Sequence, residues 1–248
     1  PHYCSRRQRQ MCIRDRVSPG SIEKVLPGGI SHAGGIAISG DDIVVADIQS
    51  VKAYSTKDGS ESWNIKNVFR VSPHGANTAV SSFDNYVILT SWLDNHVKIM
   101  RPDTGEIIKS LDGLNLPVSA TKYNDRIAVA LHGNQSITLF DANSGEENIL
   151  ADGFGAPTHV INYGEDLLVS DRSRGEIIRV DKNGMKDILI KGLDSPEGIA
   201  LKDNAIYIFE GNTGEIKKYQ NNQISVIASV MPGSQALSEL QPPSVIFN

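Results

Sequence analysis

The feature that most limits what this chain can become is a repeat of roughly 40 residues. Two markers recur independently at nearly the same step. The first is the residue that opens a short apolar run: Gly34 in HAGGIAIS, Asn77 in GANTAVSS, Val118 in LPVSATKY, Thr158 in APTHVINY, Glu197 in SPEGIALK and Ser244 in PPSVIFN. These positions stand 43, 41, 40, 39 and 47 residues apart. The second marker is a glycine turn, seen in KDGS, PDTGE, DANSGE and DKNGM, which puts Gly59, Gly105, Gly145 and Gly184 at steps of 46, 40 and 39. A unit this short cannot bury its own apolar face, so the copies must pack on one another.

The last unit shows the internal pattern most plainly. In SPEGIALKDNAIYIFEGNTGEIKKY, the runs Gly198–Leu201 and Ala205–Phe209 flank Lys202-Asp203-Asn204, and Glu215–Tyr219 follows Gly211-Asn212-Thr213-Gly214. Strand-length runs bounded by turn residues read as an antiparallel meander. In the preceding unit Thr158–Tyr163, Asp166–Ser170, Glu176–Asp181 and Met185–Ile190 make four strands. Four strands per unit, with glycine-bearing turns and no helical periodicity, predict an all-β chain built as a β-propeller.

Complete blades are expected over about 34–68, 76–114, 117–154, 157–193 and 196–231. Ser21–Leu26 reads as a lone outer strand, and Val245–Phe247, after the polar loop Pro232–Gln241, as a lone inner strand. These are the two ends of one shared closing blade. The expectation is therefore a single domain over 17–248, a six-bladed propeller whose sequence stops inside the sixth blade; a ring of seven is the alternative. An unfinished blade leaves strand edges unpaired, so the chain is expected to be less stable than one that completes it.

Charge separates the first residues from the rest. Residues 1–16, PHYCSRRQRQMCIRDR, carry five arginines and one aspartate, a net of +4, against −5 for the whole chain. The head has neither the apolar core of a signal peptide nor any periodicity. It resembles translated sequencing-adapter sequence and is set aside as non-native or disordered. The body is left at −9, which argues against a nucleic-acid partner, because a phosphate backbone calls for a Lys/Arg face. Both cysteines, Cys4 and Cys12, lie in the head, so the body has no thiolate chemistry. No apolar run approaches the ~20 residues of a membrane helix, so no membrane span is expected. The chain reads as soluble and monomeric, with its compartment open.

A site, if there is one, belongs on a single face. The first strand of a blade runs antiparallel to the second, so starts of first strands and ends of second strands lie together. The starts are Gly34, Asn77, Val118, Thr158 with His159, and Glu197; the ends are Asp47, Ser91, Leu131, Asp171 and Glu210. Adjoining loops add His32, His74, His96, His132, Arg172 and Arg174. All five histidines outside the head fall on this face, whereas the opposite turns are explained by turn geometry alone. Each residue also has a plainer role. Asp171 and Glu210 precede tight turns that an acid can organise by itself, and His159 is placed to be a packed, hydrogen-bonded core histidine. Arg172 and Arg174 could clamp a carboxylate or phosphate, or be a solvated loop. The sequence carries no phosphate loop, nucleophile elbow or zinc-helix motif.

The unit SPEGIALKDNAIYIFEGNTGEIKKY resembles the repeat of NHL-type and senescence-marker-protein/gluconolactonase-type six-bladed propellers, in which Pro-x-Gly and an apolar-Ala step lead to a strand ending in an acid. The unit GAPTHVINYGEDLLVSDRSRGEIIRVDKNG is similar, with His159 in place of the glycine. Gluconolactonase-like members bind a divalent metal, often calcium, through Glu, Asn and Asp side chains of separate blades. The resemblance therefore implies Asn77, Glu197 and Asp171 as ligands of Ca²⁺ or another divalent ion, with His159 or Glu210 as the base. NHL-type members more often act as binding surfaces. Two functions follow. One is a binding propeller that takes a small molecule, peptide or protein at this face, with Asp47, Ser91, His132 and Arg172 among the contacting residues. The other is a metal-dependent hydrolase acting on a lactone or ester.

Overall fold

The computed structural model describes residues 15–18, 21–24, 30, 34–47, 49–69 and 78–229. The chain divides into two compact units, Pro1–Arg16 with Glu23–Gly153 in the first and Val17–Ile22 with Phe154–Asn248 in the second. The described residues hold 22 strands and no helix. Consequently no helix among the described residues is long and apolar enough to cross a membrane.

The two-stranded sheet of β1 (Asp15–Ser18) and β2 (Ser21–Lys24) comes first. The first unit then carries three four-stranded blades. They are β3 (Gly35–Ser39), β4 (Asp42–Ala46), β5 (Val51–Ser55) and β6 (Glu61–Ile65); β7 (Thr78–Phe83), β8 (Tyr86–Ser91), β9 (His96–Met100) and β10 (Ile107–Leu111); and β11 (Pro117–Tyr123), β12 (Arg126–Leu131), β13 (Ser136–Asp141) and β14 (Glu147–Ala151). The second unit carries two more. They are β15 (Pro157–Tyr163), β16 (Asp166–Asp171), β17 (Glu176–Val180) and β18 (Lys186–Ile190); and β19 (Pro196–Lys202), β20 (Ala205–Glu210), β21 (Glu215–Gln220) and β22 (Gln223–Ser229). Within every blade the strands pair antiparallel in chain order.

Among the described residues five complete four-stranded blades are seen, and not six. The strand expected to be lone at Ser21–Leu26 is found at Ser21–Lys24 and pairs with Asp15–Ser18, which reaches into the head set aside above. The loop 232–241 and the strand expected at 245–247 lie outside the described residues.

Turn chemistry explains why each blade opens on a tight hairpin. The pairs Ser39↔Asp42, Phe83↔Tyr86, Tyr123↔Arg126, Tyr163↔Asp166 and Lys202↔Ala205 each close a two-residue loop. The first loop residue is Gly40, Asp84, Asn124, Gly164 or Asp203, and all five have positive φ. Gly, Asn and Asp are the residues that accept this left-handed backbone, which matches the twist of the flanking strands.

Packing follows from strand periodicity. Along β8, Val87 and Leu89 join Val44, Ala46, Val51 and Ala53 of the first blade, while Ile88 points the other way and joins Ile127, Val129 and Phe140 of the third. A strand buried on both faces must be apolar throughout, and YVILTS is nearly so. In the second unit Leu168 and Ile177 pack on Ile199, Ile206 and Ile208 in the same manner. Hydrogen bonds lace the innermost strands. Ser81 Oγ donates to the Ala120 carbonyl at 2.6 Å, and Thr158 Oγ1 donates to the Pro196 carbonyl at 3.1 Å. Close approach is enforced at Gly35, where a Cβ would stand 2.6 Å from Val80 N and 2.9 Å from Ala79 Cα.

Candidate functional site

Three second strands end in acids, and each acid is tied down. Asp47, just after β4, is 2% exposed and pairs with Lys52 Nζ at 2.8 Å. Glu210, at the end of β20, is fully buried. Its Oε1 accepts the Asp194 N–H at 2.9 Å, and its Oε2 accepts Thr213 Oγ1 at 3.0 Å and Lys217 Nζ at 2.7 Å. Asp171, at the end of β16, is fully buried as well. Its Oδ2 accepts the Gly155 N–H at 2.6 Å, and its Oδ1 accepts the Ala156 N–H at 2.9 Å and the Arg174 N–H at 3.3 Å. A buried carboxylate persists only when it is paired and hydrogen-bonded. Asp171 and Glu210 meet that condition by holding the loop that leads into their own blade. Lys217 records the same pairing. Burial opposes its charge, but the Glu210 hydrogen bond and the charges of Glu210 and Glu215 outweigh that, and its pKa is raised.

His159 is held by a neighbouring blade. The Ile199 N–H of β19 donates to its Nδ1 at 3.0 Å. The lone pair of Nδ1 is thereby occupied, so the ring is the neutral tautomer with its proton on Nε2. Burial pushes its pKa down to about 4, against a smaller opposing effect of the Ile199 hydrogen bond. In this state His159 presents a donor and binds two inner strands together.

The first strands of the last three blades each contain a bulge. The register slips between Pro117 and Ser119, between Pro157 and His159, and between Pro196 and Gly198. The extra residues are Val118, Thr158 and Glu197, the positions aligned as strand starts from the sequence. A bulge leaves its extra residue outside the ladder and re-aims its side chain.

Glu197 is aimed at Arg172. Arg172 follows β16 and reaches the loop before β19, where Nε donates to Ser195 Oγ at 2.9 Å and lies 3.8 Å from Glu197 Oε1. Ser195 has positive φ, and its carbonyl accepts the Gly211 N–H at 2.8 Å. A Cβ on Gly211 would collide with the Glu197 carboxylate, so the glycine leaves room for it. Asn212 Nδ2 donates to Asp194 Oδ1 at 2.7 Å and fixes the other side of the loop. The side chains of Arg172 and Glu197 remain 49% and 41% exposed, so the guanidinium is anchored through Nε and half open to solvent.

The other expected residues are scattered. Ser91 is buried, and its Oγ donates to Asp94 Oδ2 at 2.8 Å. His132 is exposed on the turn after β12. Asn77, His32 and His74 lie outside the described residues. On the opposite turns, Asp58, Asp141 and Asp181 hold their own loops through hydrogen bonds from Ser60, Ser144 and Met185 respectively, which lower their pKa values.

The fit to a divalent metal can be judged on the described residues. Among them no three His, Cys, Asp or Glu side chains are grouped to hold an ion. Asp171 has both oxygens engaged by N–H groups, and Glu197 lies beside an arginine. Asn77, the third expected ligand, lies outside the described residues.

Sequence reasoning missed Ser195, whose signal was only a serine before a proline, and the three bulges. It also passed over a lysine that recurs at one position of the third strand, in VKAY, HVKIM and EIKKY.

No protein-family model matches the chain, and no curated protein matches it. Solved structures do. Virginiamycin B lyase from Staphylococcus aureus superposes with a TM-score of 0.63 at 15% identity, over 84% of this chain and 73% of that one. A streptogramin B lyase gives 0.65 at 14% identity, over 90% and 76%. The computationally designed Ika8 protein gives 0.54 at 17% identity, over 84% of this chain, which spans only 65% of the designed one. At these identities the likeness shows the fold alone, and that fold is a β-propeller.

Proposed function

We propose that this protein is a binding propeller that takes a ligand bearing a carboxylate or phosphate at the loops around Arg172. The observation that carries the reading is the division of labour among the charged groups. Asp171 and Glu210 are consumed by their own loops, whereas Arg172 is anchored at one nitrogen and half exposed. An arginine fixed in this way presents its remaining donors as a planar fork, the geometry suited to bidentate recognition of an anion. Ser195, Glu197 and Asn212 frame it, and the ties to Gly211 and Asp194 hold the frame rigid. The partner is a small molecule or a peptide with a free carboxylate.

The test is a thermal-shift screen of mono- and dicarboxylates, inorganic phosphate and short peptides with free C-termini, at constant ionic strength. A native-state ligand raises the midpoint. Arg172→Met should fold like the wild type and weaken binding about tenfold or more, since one charge-assisted bidentate contact exceeds 1.4 kcal/mol. A shift that survives in Arg172→Met would remove the reading.

A second reading, an enzyme, is favoured by one observation: two of the similar structures are lyases by name. The hydrolase form of that reading asks Asn77, Asp171 and Glu197 to hold a divalent ion, and the engaged oxygens of Asp171 speak against it. Titration with Ca²⁺, Mg²⁺ and Zn²⁺ separates the readings. A midpoint that rises with one of these ions, and no longer rises in Glu197→Gln, would favour the metal-dependent form.

A further inference from the structure

We propose that the pocket beside Lys98, in the first unit, is a subsite for a small monocarboxylate that fills a position occupied by a protein acid in two other blades. The argument starts from the recurring lysine. Lys52, Lys98 and Lys217 lie at one position of the third strand, opposite Val45, Leu89 and Ile208. Each of those partners stands two residues before the second-strand end, which is Asp47, Ser91 or Glu210. In the first and fifth blades the lysine pairs with that acid, at 2.8 Å for Lys52–Asp47 and 2.7 Å for Lys217–Glu210. In the second blade the acid is replaced by Ser91. Lys98 Nζ turns instead to the Val68 carbonyl at 3.5 Å, the outer limit of a hydrogen bond.

The second observation is independent of the repeat. An open pocket of about 320 Å³ lies beside Lys98, lined by Asn67, Val68, Phe69, Asp94, His96 and Lys98. That volume is at the small end of the ligand-pocket range, about 300–1,000 Å³. Residues 70–77, RVSPHGAN, which follow Phe69 in the sequence, contain no Asp or Glu. Asp94 is drawn to Ser91, whose Oγ donates to Oδ2 at 2.8 Å and accepts the Asp94 N–H at 3.2 Å. Its negative charge in the same pocket disfavours a dianion. Val68 and Phe69 supply an apolar wall for a short tail. Together these select a compact monocarboxylate over phosphate.

Arg172 is not among the residues that line this pocket, and the test turns on Lys98. Acetate and propionate reproduce the ends of Asp and Glu side chains, and inorganic phosphate serves as the contrasting anion. Each is titrated into the full chain by calorimetry at constant ionic strength, using the wild type, Lys98→Met and the pair Ser91→Asp with Asp94→Asn. The pair restores the acid of the other blades and keeps two carboxylates from facing each other. It should fold at least as stably as the wild type, which keeps the test open should Lys98→Met fold poorly. The expected result is wild-type binding of propionate, weakened at least tenfold in both altered proteins. Absence of binding in the wild type, phosphate binding as tight as propionate, or binding retained when the acid is restored would each overturn the proposal.

Discussion

At residue scale the most consequential group is the one most easily misread. A histidine at a strand start invites a catalytic role, but the Ile199 amide occupies Nδ1 of His159 and burial keeps the ring neutral. The consequence is measurable. The unfolded ring takes its proton near 6.5, and the folded ring resists until about 4. Stability at this residue is therefore full above 6.5 and is lost as pH falls from there toward 4, with a slope of up to about 1.4 kcal/mol per pH unit. Urea unfolding at several pH values should show that slope in the wild type and a flatter profile in His159→Gln. At the basic end the sign reverses. Lys217 has a raised pKa, so its contribution is present below 10.5 and is lost as pH climbs through the higher folded value. Replacing Glu210 by Gln leaves Lys217 without its charge partner and should cost about 3 kcal/mol in the same assay. The sequence placed these acids at the ends of second strands, where the structure has them. It could not show that they are spent, because the groups that spend them are backbone amides of a loop some sixteen residues earlier, at Asp194 and Gly155.

At the scale of strands and turns, far more was legible. The hairpin turns were written in the chain because Gly, Asn and Asp most readily take the left-handed backbone they need. The strands of the fourth blade fall within a residue of expectation, Asp166–Asp171 against 166–170 and Lys186–Ile190 against 185–190. The bulges at Val118, Thr158 and Glu197 were not legible. One extra residue leaves the apolar pattern of a short strand almost unchanged, while it alters where the side chain points. Gly35 offers an element-scale test. Its missing side chain lets β3 approach β7, so Gly35→Ala should destabilise the protein by about 1–3 kcal/mol through overpacking against backbone that cannot yield. A chemical-denaturation midpoint equal to the wild type would show that the strands can separate without cost.

On the scale of the whole chain, fold and function part company. Period and turn spacing specified five four-stranded blades, and two solved propellers superpose on the chain at 14–15% identity. A period describes what blades share, and a site depends on where they differ: Ser91 where others have acids, Glu197 on a bulge, Arg172 after one strand alone. The claim at the centre is that buried acids hold loops while an anchored arginine reads the ligand. Its most direct test is the melting midpoint of Glu210→Gln and Arg172→Met, each measured with and without the best anion from the screen. The expected result is a lower midpoint with an intact ligand shift for Glu210→Gln, and an unchanged midpoint with the ligand shift abolished for Arg172→Met. The reverse pattern, a ligand shift lost with Glu210 and kept without Arg172, would contradict the account.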